Sequence, residues 1–457
     1  MSLSAVRTLR ARVALCLLAF AGSVLAQAPP SSPSRVLFQD VRIFDGKHGR
    51  LTGPMNVLVR GQVIERISSG PIDAEPGSTV IAGEGRTLMP GLIDSHWHTM
   101  FAPATMMQLD EGDIGFLTLL AGVEAEATLM RGFTTVRDLG GPSFSLKRAI
   151  DEGRLPGPRI YPSGAMITIT GGHSDFRRRT DLPRNPGTPL TMAERLNASQ
   201  LADSPDEVRM RVREQLLLGA SQIKLTAGGG VASPFSPLDV STFTEDELRA
   251  AVEAASNWGT YVTVHAYTPA AIQRSIAAGV KVIEHGHLMD DATARLMADK
   301  GIWLSFQPFA DDGTAGPMPP ASLLRMQQVF AGTERTVALA KKYGIRMAVG
   351  TDILFSPAGA ARQGEVLARM STWYSPAEVL IMATATNGEL LQLSGARNPY
   401  PGKLGVVEQG ALADLLLVQG NPLEDLSLIQ NPARNFVVIM KDGVIFRNQL
   451  AAATPAP

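Results

Sequence analysis

Short apolar runs recur through the middle of the chain, each followed by a stretch of helical spacing with its own start. This alternation predicts parallel β-strands crossed over by helices. The runs occupy residues 88–95, 133–137, 160–169, 223–226, 261–266, 280–284, 302–306 and 347–350. Eight such units are the strand count of a closed (β/α)8 barrel, and the stretch they span is close to the usual length of that fold. The helix starts can be read one by one: Ser204-Pro205, Thr244 with Glu247, Thr268-Pro269, and Ser375-Pro376 with Glu378. In each, a hydroxyl stands ready to cap free N–H groups, with proline in the first turn or a glutamate three residues on.

Outside this region the spacing changes to alternation, the period of a strand with one buried face. Residues 36–44 and 55–67 read as strands split by the turn Asp45-Gly46-Lys47-His48-Gly49. Residues 405–407, 413–418 and 436–445 read the same way near the other end, with turns at Asn421-Pro422 and Asp442-Gly443. The simplest arrangement is a small β-sandwich built from both chain ends beside the barrel, and the expected fold class is α/β. The expected boundaries are a signal peptide over 1–26, the sandwich over 27–87 and 391–450, and the barrel over 88–390. A polar segment, 174–206, follows the third run and is long enough to be a lid.

Composition adds a destination and removes some chemistry. Arg7, Arg10 and Arg12 precede an apolar run over 13–20, and Val24-Leu25-Ala26 forms a small-residue cleavage pattern before Gln27. An apolar core of about ten residues is too short to cross a bilayer. The segment therefore reads as a cleaved export signal, with the mature chain in the periplasm or outside the cell and no stable membrane association. The single cysteine, Cys16, lies inside that run. The mature chain then has no thiol, so a cysteine nucleophile and thiolate metal ligands are excluded. Cleavage removes three arginines and no acid, taking the formal charge from -1 to about -4. That balance argues against nucleic acid as a partner and leaves a small molecule as the expected ligand.

Six of the seven histidines fall in or just after a predicted strand. His96 and His98 end the first run, His173 follows the third, His265 lies in the fifth, and His285 and His287 end the sixth. The C-terminal strand ends of such a barrel meet at one face, so residues scattered in sequence converge there. A lone strand-end histidine is ordinarily a packing residue, but six at one mouth point to a metal held by imidazole nitrogen. His48, in a polar turn, reads as solvated. Asp352 follows the eighth run, where a carboxylate suits both metal binding and proton exchange with water. Lys224 lies inside the fourth run. It is read either as a lysine capping the mouth or pairing with an acid, or as a desolvated amine that deprotonates easily. Gly228-Gly229-Gly230 lacks the Lys-Ser/Thr of a phosphate loop and reads as backbone turning near the site.

Taken together, His96-Trp97-His98, Lys224, His265, His285 and Asp352 resemble the ligand set of the amidohydrolase superfamily. The stretch Pro90-Gly91-Leu92-Ile93-Asp94-Ser95-His96 resembles its opening motif, and Gly405-Val406-Val407-Glu408-Gln409-Gly410-Ala411-Leu412-Ala413-Asp414 its closing one. The match is best with the branch of Xaa-Pro dipeptidases (prolidases) and ochratoxin-hydrolysing amidases. The resemblance implies two divalent metal ions, zinc by preference. One is held by His96, His98 and Asp352, the other by His265 and His285, and a carboxylated Lys224 bridges them. It further implies Asp352 as the catalytic proton carrier, amide cleavage with a C-terminal amino acid as leaving group, and a homo-oligomer. His173 and Tyr267 resemble positions that contact the substrate carbonyl and carboxylate. His287 and Arg177-Arg178-Arg179 are further candidates for a carboxylate. Two other readings stand beside this one: a mononuclear cyclic amidohydrolase or deaminase, imidazolonepropionase-like, and a non-catalytic metal-binding barrel. Deaminases of the superfamily typically place a glutamate soon after the fifth-strand histidine, whereas here Ala266-Tyr267-Thr268 follow His265.

Overall fold

The first alternating segment folds into β1 (Arg35–Ile43), where Val41 and Ile43 are buried while Asp40 and Arg42 face outward. The computed structural model describes residues 34–185, 187–233, 235–310 and 319–450, so the expected signal peptide over 1–26 lies outside the described residues. The second alternating segment is a hairpin and not one strand. β2 (Pro54–Arg60) and β3 (Val63–Ser68) pair antiparallel across Gly61, whose φ is 56°. Gly61-Gln62 lacks the Asn-Gly or Asp-Gly pair that marks such turns in a sequence, so the break is hidden there. On its other side β1 pairs in parallel with β4 (Thr79–Ala82) and β5 (Thr87–Pro90).

The first apolar run serves two sheets. After Gly91 the chain leaves β5 and begins β6 (Leu92–Trp97), which forms a parallel set with β7 (Phe133–Asp138) and β8 (Arg159–Pro162). A Cβ at position 91 would lie 2.1 Å from the Thr134 hydroxyl, so only glycine lets the chain cross there. The third run also divides, and β9 (Met166–Thr168) opens a second parallel set. That set runs β10 (Ser199–Leu201), β9, β11 (Ile223–Thr226), β12 (Val262–Ala266), β13 (Val282–His285), β14 (Trp303–Phe306) and β15 (Met347–Val349). Each of the eight predicted runs contributes a strand, and the result is a mixed α/β architecture.

The four helix starts open helices at Pro205–Leu218, Glu245–Asn257, Pro269–Ala277 and Pro376–Ile381. Ser204, Thr244 and Ser375 each accept the backbone N–H three residues on, while Thr268 makes no side-chain cap. The polar segment 174–206 contains a short helix (Met192–Arg195) and β10, at the edge of the second set, and runs into the helix that opens at Pro205.

Among the described residues no strand pairing joins β8 to β9 or β15 to β6. Polar groups stitch the second of these seams. Asp352 N donates to His96 O at 2.8 Å. Buried Asn387 donates to Ile93 O (2.6 Å) and Val349 O (2.8 Å) and accepts from Val349 N (3.0 Å). Asp94 accepts from His96 N (3.0 Å) and Thr351 N (3.1 Å).

The distal segments return to the first sheet. β16 (Leu415–Val418), β17 (Phe436–Lys441) and β18 (Val444–Asn448) extend it in the order β18-β17-β16-β5-β1-β2-β3. Residues 405–407 form no strand: Val406 and Val407 are buried, but Gly405 has a φ of 72° that breaks an extended run. Both chain ends therefore build one mixed sheet, fastened to the parallel set where Arg159 of β8 donates to Asp414 Oδ2 (2.8 Å) and to Asp442.

Candidate metal centre

Strand alternation sends His96 and, two residues on, His98 to one side of the chain as it leaves β6. Both Nε2 atoms lie 3.1 Å from the same oxygen, Asp352 Oδ1. Asp352 stands just beyond β15 with a φ of 52°, and His285 ends β13 with a φ of 75°. A left-handed backbone is costly for a residue with a Cβ. Here it occurs where each strand gives up its functional side chain. His285 Nδ1 lies 3.9 Å from Asp352 Oδ2, and its ring lies 5.1 Å from that of His96. One donor atom from each of His96, His285 and Asp352 lies within 4.8 Å of the other two.

The other predicted residues extend outward from this group as a series of rings. His265 of β12 lies 4.4 Å from His285, and His173 lies 4.2 Å from His265. Tyr267 is 5.0 Å from His285, and His287 is 5.9 Å from Tyr267. Lys224 of β11 is buried, and its charge bears on His96, His98, His173, His265 and His285. The structure thus brings the nine predicted residues together. It keeps His48 apart, on an exposed turn where Nδ1 lies 2.6 Å from Asp45 Oδ2. Arg177 pairs with Asp175 (2.6 Å), Arg178 pairs with Asp110 (3.0 Å), and Arg179 lies over the Phe235 ring. The glycine run works through what it lacks. A Cβ at Gly230 would fall 2.0 Å from His173 Nδ1, and the Gly229 carbonyl reaches His265 Nε2 at 2.9 Å.

Burial sets the protonation of the group. It drives His265 and His285 well below the usual imidazole range and brings His173 and His287 down to about 4. His98 is lowered for the same reason. His96 is the exception: burial pulls it down, but the charges of Asp352 and Glu284 outweigh burial and raise it. Burial would raise Asp352, yet His96 and its neighbours hold it well below the carboxylate range. Imidazoles around one carboxylate, all but His96 lowered by burial, form a donor set for a borderline divalent cation.

Two observations test that fit. Four-coordinate zinc with bonds of about 2.0–2.1 Å separates its donors by about 3.3 Å, close to the 3.1 Å between each Nε2 and Asp352 Oδ1. His285 Nδ1 is buried with no hydrogen-bond partner among the described residues, a costly state for a polar atom unless a ligand engages it. These residues fit a divalent metal.

Sequence reasoning missed the groups underneath. Glu284, next to His285 on β13, and Arg137 on β7 are fully buried and paired at 2.7 Å. The cue was available: each is a charged residue inside an apolar strand, the feature that singled out Lys224.

The amidohydrolase family model matches residues 87–446. Over 380 residues the chain is 31% identical to the ochratoxinase of Aspergillus niger, a match that takes in 79% of this chain and 75% of that protein. A crystal structure of an amidohydrolase is similar at 37% identity and a TM-score of 0.84, with 92% of this chain and 100% of that one covered. A prolidase complexed with N-methylphosphonate-L-proline is similar at 33% identity and a TM-score of 0.84, with 91% and 100% covered.

Proposed function

This chain belongs to the amidohydrolase family, and from that premise we propose that it is an exported enzyme with two divalent metal ions that frees a C-terminal amino acid from a dipeptide or N-acyl amino acid. It is a hydrolase acting on amide bonds. The observation that carries the metal reading is the single oxygen, Asp352 Oδ1, 3.1 Å from the Nε2 atoms of both His96 and His98. The leaving group is supported by the ochratoxinase and prolidase among the relatives. Export is supported by the arginines, apolar run and cleavage pattern before Gln27.

In this reading His96, His98 and Asp352 would hold one ion and His265 and His285 the other, with Lys224, carboxylated by carbon dioxide, as a ligand the two would share. When bound, the ions supply Lewis acidity toward the scissile carbonyl and lower the pKa of water. Asp352 moves the proton. Its carboxylate takes one from water as the water oxygen bonds to the carbonyl carbon, then delivers it to the leaving nitrogen as the C–N bond breaks. His173 and Tyr267 offer an N–H and a phenol O–H to the substrate's carbonyl and terminal carboxylate, with His287 beside Tyr267.

The same reading closes the two parallel sets into one (β/α)8 barrel over 88–390. Support comes from the parallel pairing within each of the two sets and the Asp352 N to His96 O bond at 2.8 Å across the seam. The mixed sheet is read as a small sandwich folded on itself. The hydrogen bond from Ile64 N to Ala411 O (2.9 Å), which ties the start of β3 to the approach to β16, supports that.

The test is to load protein beginning at Gln27 with zinc, count the metal, and screen Xaa-Pro dipeptides, other dipeptides and N-acyl aromatic amino acids with product analysis. Close to two ions per chain and a released free amino acid are expected. One ion with ammonia release would support the mononuclear deaminase reading instead. No turnover across the panel in fully loaded protein would support a non-catalytic barrel.

A further inference from the structure

Glu284 lies where residues of four other strands meet, and none of its surface reaches solvent. Its Oε1 accepts from Arg137 Nη2 at 2.7 Å and from the Thr263 hydroxyl, and its Oε2 accepts from His96 Nδ1 at 2.9 Å. Arg137, equally buried, is used up around it. Its Nε donates to Ser95 O (2.6 Å), Nη1 to Tyr261 Oη (3.1 Å) and Nη2 also to Ser305 Oγ (3.1 Å). The Gln307 amide lies 3.1 Å from the same His96 nitrogen.

Stability does not explain this pair. Taking two charges fully out of water costs more than their attraction commonly returns, and apolar residues of similar volume ordinarily serve a core as well or better. What the pair does have is an outlet at the metal centre. An ionised carboxylate only accepts hydrogen bonds, so His96 must carry its proton on Nδ1. That leaves Nε2 as the ring nitrogen a metal can engage, and it is aimed at Asp352 Oδ1. The other histidines are anchored differently. His265 and His287 rest on the carbonyls of Gly229 and Gln307 at 2.9 Å, and His98 lies 3.4 Å from Gly140 O. Among the described residues only His96 has a charged anchor on the side of its ring away from Asp352.

Resting on the metal-centre reading above, we propose that Glu284, held by Arg137, is a positioning residue. It locks the ring and tautomer of His96 and lends it negative charge, so that the ion at His96, His98 and Asp352 is held more tightly than the ion at His265 and His285. Carboxylate partners of ligating histidines act in this way, and their loss weakens metal binding about 10–100-fold.

The experiment titrates zinc alone into chelator-stripped full chain, in competition with a chromophoric chelator, and records melting with the chelator in excess. Glu284→Gln preserves the shape and removes the charge. Arg137→Met with Glu284→Gln removes both charges, which keeps a stranded guanidinium from unfolding the protein. Thr263→Val removes one hydrogen bond to Glu284 and spares both ions. The tighter of two zinc affinities is expected to fall about 10–100-fold in the first two variants and less in the third, while the weaker stays unchanged and the double variant melts near wild type. Wild-type affinity in whichever of these variants fold would overturn the proposal, as would an equal loss at both sites. Wild-type protein that binds no zinc would instead overturn the metal-centre reading on which it rests.

Discussion

Lys224 is the residue whose surroundings make the sharpest demand. Burial pushes its ammonium down to about 8, and only the neutral amine can add carbon dioxide. The neutral fraction rises about tenfold per pH unit below that value and levels off above it. For chelator-stripped protein given zinc at fixed dissolved carbon dioxide, recovery of activity should therefore accelerate about tenfold per unit from pH 6 toward 8, then flatten. Recovery indifferent to both pH and carbon dioxide would rule out the carbamate. Lys224→Ala should lose metal and turnover together, by more than about 100-fold, since even outer partners of ligands cost up to that much. The candidate ligands were legible at this scale because each sits at or beside a strand, where spacing in sequence maps onto direction in space. Glu284 and Arg137 could be flagged as charges inside apolar strands but not paired, because nothing local says which buried partner on another strand each one finds.

Among the elements, the seam between β15 and β6 decides whether Asp352 can reach His96 and His98. Asn387 binds three backbone groups there, on Ile93 and Val349, and its helix joins the first and last strands of the parallel series. Asn387→Ala strands those three buried groups, each worth about 1 kcal/mol or more. Chemical denaturation should show a loss of about 3 kcal/mol, and the zinc affinity of the folded protein should fall because the two halves of the ligand set sit on opposite sides of the seam. Unchanged zinc affinity would mean that the backbone bond from Asp352 N to His96 O is sufficient alone. Strand and helix identities were largely visible, since run length, capping hydroxyls and first-turn prolines are local. Element boundaries were less so. The first run turned out to serve two sheets, and the reason lies across the fold: Gly91 is needed because Thr134 occupies the space a Cβ would take.

At the scale of the whole molecule, a sheet made from both chain ends must stay fastened to the strands that carry the site. Arg159 spans that join, buried with Asp414 and paired with the half-buried Asp442. Arg159→Met leaves the buried Asp414 carboxylate without its cation and should cost about 3–5 kcal/mol in chemical denaturation. Adding Asp414→Asn should recover much of that loss. If the single variant unfolds like wild type, the join is held by apolar packing alone. What the sequence determined by itself was the set of parts: parallel strands alternating with capped helices, β segments at both ends, and histidines with one aspartate and one lysine gathered on strands. These follow from periodicity and spacing, which act over a few residues. Tertiary structure decided how the parts engage. It placed Asp352 Oδ1 between two imidazoles, gave His265 a carbonyl anchor and His96 a carboxylate, and set a buried ion pair beneath the site. Those outcomes depend on contacts between residues as far apart as 96 and 352 and on the loss of water around them, and neither is encoded in any local window of the chain.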